Sequence, residues 1–485
     1  MSVVNVDQRH PVVLPHVRIQ PAKGLLELDL AALWQYRELI QILVWRDVTV
    51  RYKQTLLGVA WAMFQPVATM VIFTVVFSVI FPKIIVGDAP EYRQGNLLWS
   101  VALSISYAIV VLTAPFLGAV MDYRAAKKRF LFASYLLTVG ATATLWFATP
   151  GRVGLAMALL IASNYGFAVG ESFAASFLPD LGPKRDLGRI SGYAWGIGYI
   201  GGLVSTAIVV FSVGEQTREN LERLRFIGPM TAGFFFLAAI PTFLFLRERG
   251  AARQLPEGET LAHVGIARLR KTAGELKDFR DLVWFLAGLF FATAGLSIVI
   301  SFAFIYGDQV IHWKPQTQLF MFVLTNLSAA FGAVLFGAIQ DRYGNLRTYR
   351  LTLVVWILAV LCIYQTPRLA EVMTMATGNP WASEDVYLFV GTLAGLCLGA
   401  TQSAGRTVVA IFAPESKSGE IFGFWGVTGK LAAIFGLLSL GILQNSLGLE
   451  RAILVCAVFF LVAWALSLKV DESRGSEAAK VHEGE

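Results

Sequence analysis

The chain has 485 residues, of which 56% are hydrophobic and 15% are charged, and its formal net charge at pH 7 is +7. The mean hydropathy of +0.62 and a charged share well below the ~25% of soluble domains exclude an ordinary soluble protein and indicate a membrane protein. All three cysteines lie inside apolar runs, which argues against a disulfide framework or a zinc site.

The first predicted element is an amphipathic helix within an N-terminal segment, residues 1–56. Apolar residues from Leu33 to Leu43 recur at helical spacing, and Trp34 and Trp45 suit a membrane interface. We expect this helix to lie along the cytoplasmic surface of the membrane. An ordinary soluble helix is the alternative.

Twelve apolar segments follow, each long enough at about 20 residues to cross a bilayer as a helix. They lie near 57–82, 97–120, 130–149, 153–178, 190–213, 226–246, 282–306, 317–339, 349–366, 385–412, 421–444 and 449–468. A polar stretch divides them six and six. The predicted organisation is therefore a first half at 57–246, a linker at 247–281, a second half at 282–468 and a tail at 469–485. Because basic residues concentrate in the linker and in the loops on its side, both termini are predicted to be cytoplasmic, with the chain in the cytoplasmic membrane.

A polar motif occurs once in each half, in the turn between the second and third helix. It reads GAVMDYRAAKKRF at 118–130 and GAIQDRYGNLRTYR at 337–350. The glycine allows two helices to approach closely, and the aspartate can bind the amides at a helix end and pair with an arginine. A conformational gate is predicted here, although a bias of basic residues toward the cytoplasm would also explain the charges. The predicted gating residues are Gly118, Asp122 and Arg124 in the first copy and Gly337, Asp341 and Arg342 in the second.

A second repeat links the stretches 177–199 and 412–430. Both leave a helix through a proline and an acidic residue and enter the next helix through spaced glycines. The glycines match at a constant offset of 231, and they are Gly188, Gly192 and Gly198 against Gly419, Gly423 and Gly429. Duplicated six-helix halves are typical of transporters that work by alternating access.

No catalytic cluster, cofactor site or metal site is predicted. The sequence GxGxxG at 196–201 lies within a membrane helix and follows no strand, so it does not indicate a dinucleotide site. We find no Walker-type phosphate loop and no grouping of the five histidines. These features favour a protein that is not an enzyme, carries no ATPase of its own and binds no nucleic acid, and no ATPase partner is expected unless the alternative function given below holds.

These motifs resemble those of the major facilitator superfamily. The stretches FLPDLGPKRDLGRISGYAWGIGYIGGLVS and GATQSAGRTVVAIFAPESKSGEIFGFWGVTGKLAAIFG resemble its vacuole-effluxer-like branch, over roughly residues 75–468. The resemblance implies an all-α fold of twelve transmembrane helices and a proton- or gradient-driven permease, with fungal members linked to amino-acid efflux. The seventh helix, FLAGLFFATAGLSIVISFAFIYG, departs from the branch because it lacks the usual polar Asn–Asp pair.

Residues 33–77 resemble a different family, the ABC polysaccharide-export permeases. The resemblance is carried by Trp45-Arg46-Asp47, Arg51-Tyr52-Lys53 and Leu57-Gly58. It suggests a fusion inside the first helix. It also leaves a membrane subunit of an ABC-type exporter as an alternative function, which would require a separate ATPase.

Three charges lie inside predicted spans, where charged side chains are costly and often functional. They are Glu171, Arg406 and Lys430. Glu171 and Arg406 each precede a proline by eight residues and so occupy equivalent positions. The resemblance places their helices opposite each other across a central cavity. We therefore expect them to handle a substrate or a proton, with Asn164 and Gln402 as neutral helpers, although structural ion pairing is an alternative. The predicted function is secondary active transport of a small polar solute, an amino acid among the candidates, with or without protons.

Overall fold

In the computed structural model, every secondary-structure element among the described residues is a helix. The structure describes residues 92–149, 151–213, 221–249, 253, 255 and 258–484. All of them belong to a compact unit that begins at Gln54. The predicted amphipathic helix and the first predicted span, 57–82, lie outside the described residues.

Within the described residues, the first half contributes five long apolar helices and one short helix. They are α1 (Tyr92–Tyr123), α2 (Lys127–Thr144), α3 (Val153–Ala175), α4 (Leu187–Val213), the short α5 (Leu221–Arg225) and α6 (Ile227–Phe245). Each long helix coincides with a predicted span. Short 3-10 turns flank them at 145–147, 178–181 and 184–186.

The linker contains a helix, α7, and the second half repeats the pattern of the first. These elements are α7 (Leu261–Gly274), α8 (Arg280–Tyr306), α9 (Pro315–Tyr343), α10 (Asn345–Tyr364), α11 (Thr366–Thr377), α12 (Ser383–Phe412), α13 (Ser418–Ala452), α14 (Val455–Ser467) and the tail helix α15 (Glu472–Val481). Gly448, at φ 75°, interrupts the end of α13. Beyond it, the segments Ser446–Ala452 and Val455–Ser467 meet at a bend of 63° between Ala452 and Val455.

The number of membrane-length helices agrees with the prediction for the described part of the chain. Ten helices are long and apolar enough to cross a membrane, or eleven if the bent pair forms one span. With the first predicted span outside the described residues, this agrees with the twelve-helix architecture in two repeats.

The turns that carry the repeated motif each contain a residue with positive φ. Ala125, between α1 and α2, and Gly344, between α9 and α10, both have positive φ, 44° and 100°. An L-residue pays roughly 1–2 kcal/mol for this conformation, so Ala125 indicates a turn that the surrounding packing enforces.

Small residues bring the two halves into contact at one end of the bundle. A Cβ atom on Gly118 of α1 would lie 2.2 Å from the carbonyl oxygen of Gly419 in α13, and one on Gly337 of α9 would lie 2.9 Å from Cα of Gly192 in α4. Only glycine fits such a backbone contact. We call this end, where α1 ends, α13 begins and α7 lies, the linker end.

In each half, a glutamate that follows the last membrane helix binds the start of the helix after the polar motif. That helix is α2 in the first half and α10 in the second. Glu248 accepts hydrogen bonds from the amides of Lys127 and Lys128 at the start of α2. Glu472 accepts from the amide of Leu346 at 2.9 Å, at the start of α10. Because helix starts carry unpaired amides and partial positive charge, these carboxylates fix the linker end of each half.

Candidate functional site

The first contact between the halves at the linker end is a carboxylate bound to a helix start. Asp122, at the end of α1, accepts hydrogen bonds from the amides of Gly419 and Glu420, both at 3.0 Å. These amides begin α13 and have no partner within that helix. The carboxylate therefore fastens the first half to the positive end of a helix in the second half.

The second contact repeats the first with the halves exchanged. Asp341, near the end of α9, accepts from the amides of Gly188 at 2.9 Å and Arg189 at 3.0 Å, which begin α4. The Arg189 side chain adds an ion pair at 3.0 Å through Nε. Two equivalent carboxylates thus join the two halves at the linker end.

The two aspartates bind helix-end amides as predicted. The arginines that follow them in the polar motif are not their partners among the described residues. The arginine that binds Asp341 is Arg189, in the first turn of α4. It lies five residues after Lys184, which is in the loop between α3 and α4. Arg124 and Arg342 are exposed, and neither forms an ion pair within the described part of the chain. The gating role of all six predicted residues remains a prediction.

The linker helix α7 lies across the Asp122 contact and touches both halves. Arg268 binds Glu420 with Nε 2.6 Å from Oε1, and the Thr272 hydroxyl donates to the other carboxylate oxygen at 2.6 Å. Glu420 is fully buried and supplies one of the amides that bind Asp122. On the opposite side, Gly265 packs against Phe116 of α1.

A second ion pair joins the linker to the second half just beyond α7. Lys417, at the start of α13, lies 2.6 Å from Glu275. Burial alone would raise the pKa of Glu275, but the hydrogen bond and charge of Lys417 outweigh it and lower the pKa. The carboxylate is therefore charged at neutral pH, and the pair is intact there.

A buried ion pair also closes the linker end of the first half. Nζ of Lys127, at the start of α2, lies 2.8 Å from Asp180 in the turn after α3, and both side chains are buried. Burial raises the pKa of Asp180, while the charge and hydrogen bond of Lys127 oppose this shift. The sequence signal for this pair was the lysine within the first polar motif, at 118–130.

Deeper in the bundle, one ion pair joins the halves between α3 and α13. Nζ of Lys430 lies 3.4 Å from Oε2 of Glu171 and 5.5 Å from the centre of the Tyr107 ring. The side chain of Lys430 is 18% exposed and that of Glu171 is 24% exposed. Both side chains are therefore only partly buried.

A second set of polar contacts joins α12 to α4. Arg406 is buried and donates to the hydroxyl and the carbonyl of Ser191 at 3.1 and 3.0 Å, and its guanidinium lies over the Trp195 ring at 5.5 Å. Gln402, one turn earlier, binds the hydroxyl of Tyr199.

Glu171 and Arg406 do not form the direct ion pair that the sequence left open as a structural alternative, and their predicted role with a substrate or a proton remains a prediction. Glu171 is paired with Lys430, and Arg406 is held by Ser191, because α3 packs beside α13 while α12 packs beside α4. Repeat-equivalent side chains therefore lie in two different interfaces. Asn164 donates to Ser106 of α1 at 2.7 Å, so its hydrogen bond stays within the first half.

The sequence repeat also pairs residues of these two interfaces with each other. The offset of 231 that pairs the glycines also pairs Lys430 with Tyr199. One interface thus presents a lysine to a glutamate, while the other presents a tyrosine to Gln402. The α3–α13 interface contains a pair of opposite charges. The α4–α12 interface contains a neutral hydrogen-bonded pair and one arginine whose donors are already bound.

Comparison with known proteins agrees with this geometry. A family model described as "Vacuole effluxer Atg22 like" matches residues 98–480. The uncharacterized MFS-type transporter YxiO of Bacillus subtilis (strain 168) is 22% identical over 420 residues, 85% of this chain and 93% of that protein. Autophagy-related protein 22-1 of Penicillium rubens is 27% identical over 334 residues. That match spans 62% of this chain but only 55% of the fungal protein.

The fold has a solved counterpart. The major facilitator superfamily transporter FucP, crystallised in the outward conformation, superposes with a TM-score of 0.62 at 14% identity. The match covers 86% of this chain and 97% of FucP. At this identity the likeness concerns the fold alone.

Proposed function

Because the chain belongs to the vacuole effluxer Atg22-like family and has the major facilitator fold, we propose that it is a secondary active transporter that moves a small polar solute by alternating access. The observation that carries this proposal is the pair of equivalent carboxylate contacts at the linker end, Asp122 to α13 and Asp341 to α4. They join two repeated halves that must separate at this end for a solute to pass.

The linker end is assigned to the cytoplasm in this proposal. The support is the concentration of basic residues in the linker and adjoining loops. The described arrangement is then closed toward the cytoplasm. A hydrogen bond to a charged group contributes about 1.5–3 kcal/mol, so losing one would change the ratio of closed to open molecules about tenfold or more.

The Glu171–Lys430 pair is the proposed site of substrate binding or proton coupling. The two charges come from different halves and are partly exposed. A zwitterion such as an amino acid could replace each partner, with its ammonium on Glu171 and its carboxylate on Lys430. Alternatively, Glu171 could release Lys430 by taking up a proton.

Arg406 is assigned a structural role instead. Its donors already bind the hydroxyl and carbonyl of Ser191, and the side chain is 5% exposed. A buried guanidinium satisfied by a neighbouring helix stabilises that interface and offers little to a solute. We expect it to hold α12 against α4.

The ABC-exporter alternative has less support. It rests on residues 33–77, which lie outside the described part of the chain, whereas the family model covers 98–480. It accounts neither for the repeated halves nor for their contacts at the linker end.

Reconstitution tests the proposed site. Purified protein in proteoliposomes would be screened with labelled amino acids for counterflow and for accumulation driven by a proton gradient. Glu171→Gln keeps the shape of the side chain but cannot ionise. We expect it to abolish accumulation; retained counterflow would indicate proton coupling, and loss of both activities would indicate substrate binding.

The controls keep the test specific. Glu371→Gln removes an exposed carboxylate from α11 and should transport as the wild type does. If Glu171→Gln and Lys430→Gln also transport at wild-type rates, the pair is structural and the site assignment is wrong.

A further inference from the structure

A cavity of about 580 Å³ opens at the linker end, outside the transport site. Four separate parts of the chain form its walls: the turn before α4, the α9–α10 turn with the first residues of α10, the end of α12 at Ile411, and the start of the tail helix α15. This volume is within the range of small-ligand pockets, about 300–1,000 Å³. The cavity can therefore hold a group larger than a single water or ion.

The lining of the cavity is cationic. It contains Lys184, Arg185, Arg347 and Arg350 against two acids, Asp471 and Glu472. Both acids are already bound to backbone amides: Glu472 caps the start of α10, and Asp471 caps the start of α15. Within the lining the basic residues outnumber the acids by two, while just outside it Glu483 lies 3.4 Å from Lys184 and Asp186 lies 3.8 Å from Arg185.

Several cationic donors in the lining have spare capacity. Arg350 binds two carbonyl oxygens through Nη2, but its Nε is buried without a hydrogen-bond partner among the described residues. Arg347 is exposed and forms no ion pair with any described residue. Arg185 has one ion-pair partner in the described part of the chain, Asp186 at 3.8 Å. Guanidinium groups present paired donors that match the oxygens of a phosphate.

We propose that this cavity is a binding site for a phosphate-bearing anion. The ligand would be a phosphate or pyrophosphate group, supplied either free in solution or by an anionic lipid headgroup. Lys184 and Arg185 belong to the first half, whereas Arg347 and Arg350 belong to the second. A bound anion therefore bridges positive charges of both halves and removes their mutual repulsion.

The bridge gives the site a conformational consequence, which rests on the proposed alternating access. Opening the linker end would move the two basic pairs apart and divide the site. A ligand that binds only the closed form stabilises that form by mass action. At ten times its dissociation constant it would raise the closed-to-open ratio about tenfold.

Binding can be measured without any transport assay, so its failure is separable from failure of the proposed function. Full-length protein in nanodiscs of neutral lipid would be titrated calorimetrically with inorganic pyrophosphate. In a second arm, phosphatidylglycerol would replace part of the neutral lipid, and the change in melting temperature would be recorded. Saturation in the first arm identifies a free anion, and stabilisation confined to the second identifies a headgroup.

The decisive comparison is between two double variants that lose equal charge. Arg185→Ala with Arg347→Ala removes two donors of the cavity, and we expect at least a tenfold loss of affinity or loss of the lipid effect. Arg270→Ala with Lys277→Ala removes two exposed charges from the linker and should leave binding unchanged. Equal responses in both double variants, or no binding and no stabilisation in the wild type, would overturn the proposal.

Discussion

At the scale of single residues, the sequence repeat predicted some of the side-chain contacts of this chain and missed others. The repeat predicted Asp122 and Asp341 as residues that bind helix ends, and both do so. It did not predict that Glu171 binds Lys430. A pattern along one helix shows which residues are equivalent, but the partner of a side chain depends on which helix packs beside it.

Gly118 offers a test of close packing at this scale. Gly118→Ala would place a Cβ atom 2.2 Å from a backbone carbonyl oxygen of α13, which cannot move without shifting the helix. We expect α1 and α13 to separate and the linker end to open. A cysteine at Ser172, which is buried on α3 facing α13, should then react at least tenfold faster with a neutral maleimide, in a background without the native cysteines.

A matched substitution is available on another helix. A Cβ atom on Gly233 of α6 would meet nothing within 4 Å, so Gly233→Ala should leave the labelling rate unchanged. Equal rates in the two variants would mean that the α1–α13 contact is not what closes this end.

At the scale of elements, the linker helix α7 is the feature that the sequence described least well. The stretch 247–281 was predicted only as a polar linker, because its charges mark it as lying outside the membrane. Its role follows from two tertiary contacts, Arg268 with the buried Glu420 and Gly265 with α1. Each half supplies one of these surfaces, so the helix spans the interface that Asp122 closes.

Removing the charge of Arg268 should therefore weaken closure. Arg268→Ala leaves the Glu420 carboxylate buried and unpaired, and breaking a buried pair in this way costs about 3–5 kcal/mol. We expect a lower melting temperature and faster labelling at Ser172→Cys. Adding Glu420→Gln should recover part of the loss, because the unpaired charge is then absent.

The same helix provides the comparison variant. Arg270 is exposed, and Arg270→Ala should change neither the melting temperature nor the labelling rate. If Arg268→Ala behaves like Arg270→Ala, α7 does not hold the linker end shut.

At the scale of the whole molecule, the architecture was the most predictable property. The lengths of the hydrophobic segments predicted the helices, and the glycine offset of 231 predicted the duplication. Both predictions follow from the local sequence alone. The arrangement of the two halves at the linker end depends on long-range packing. Its closed state, with α1 on α13 and α9 on α4, is one of the alternatives that the same sequence has to allow if the protein transports by alternating access.

The central claim is that Asp122 and Asp341 together keep the linker end closed. The most direct test measures distance between spin labels at Arg129 and Glu415, exposed positions at this end in the first and second halves. Electron–electron resonance on the wild type should give one short, narrow distribution. In Asp122→Asn with Asp341→Asn a longer population should grow at least tenfold, whereas Asp308→Asn, at an exposed site, should match the wild type. An unchanged distribution in the double variant would contradict the account.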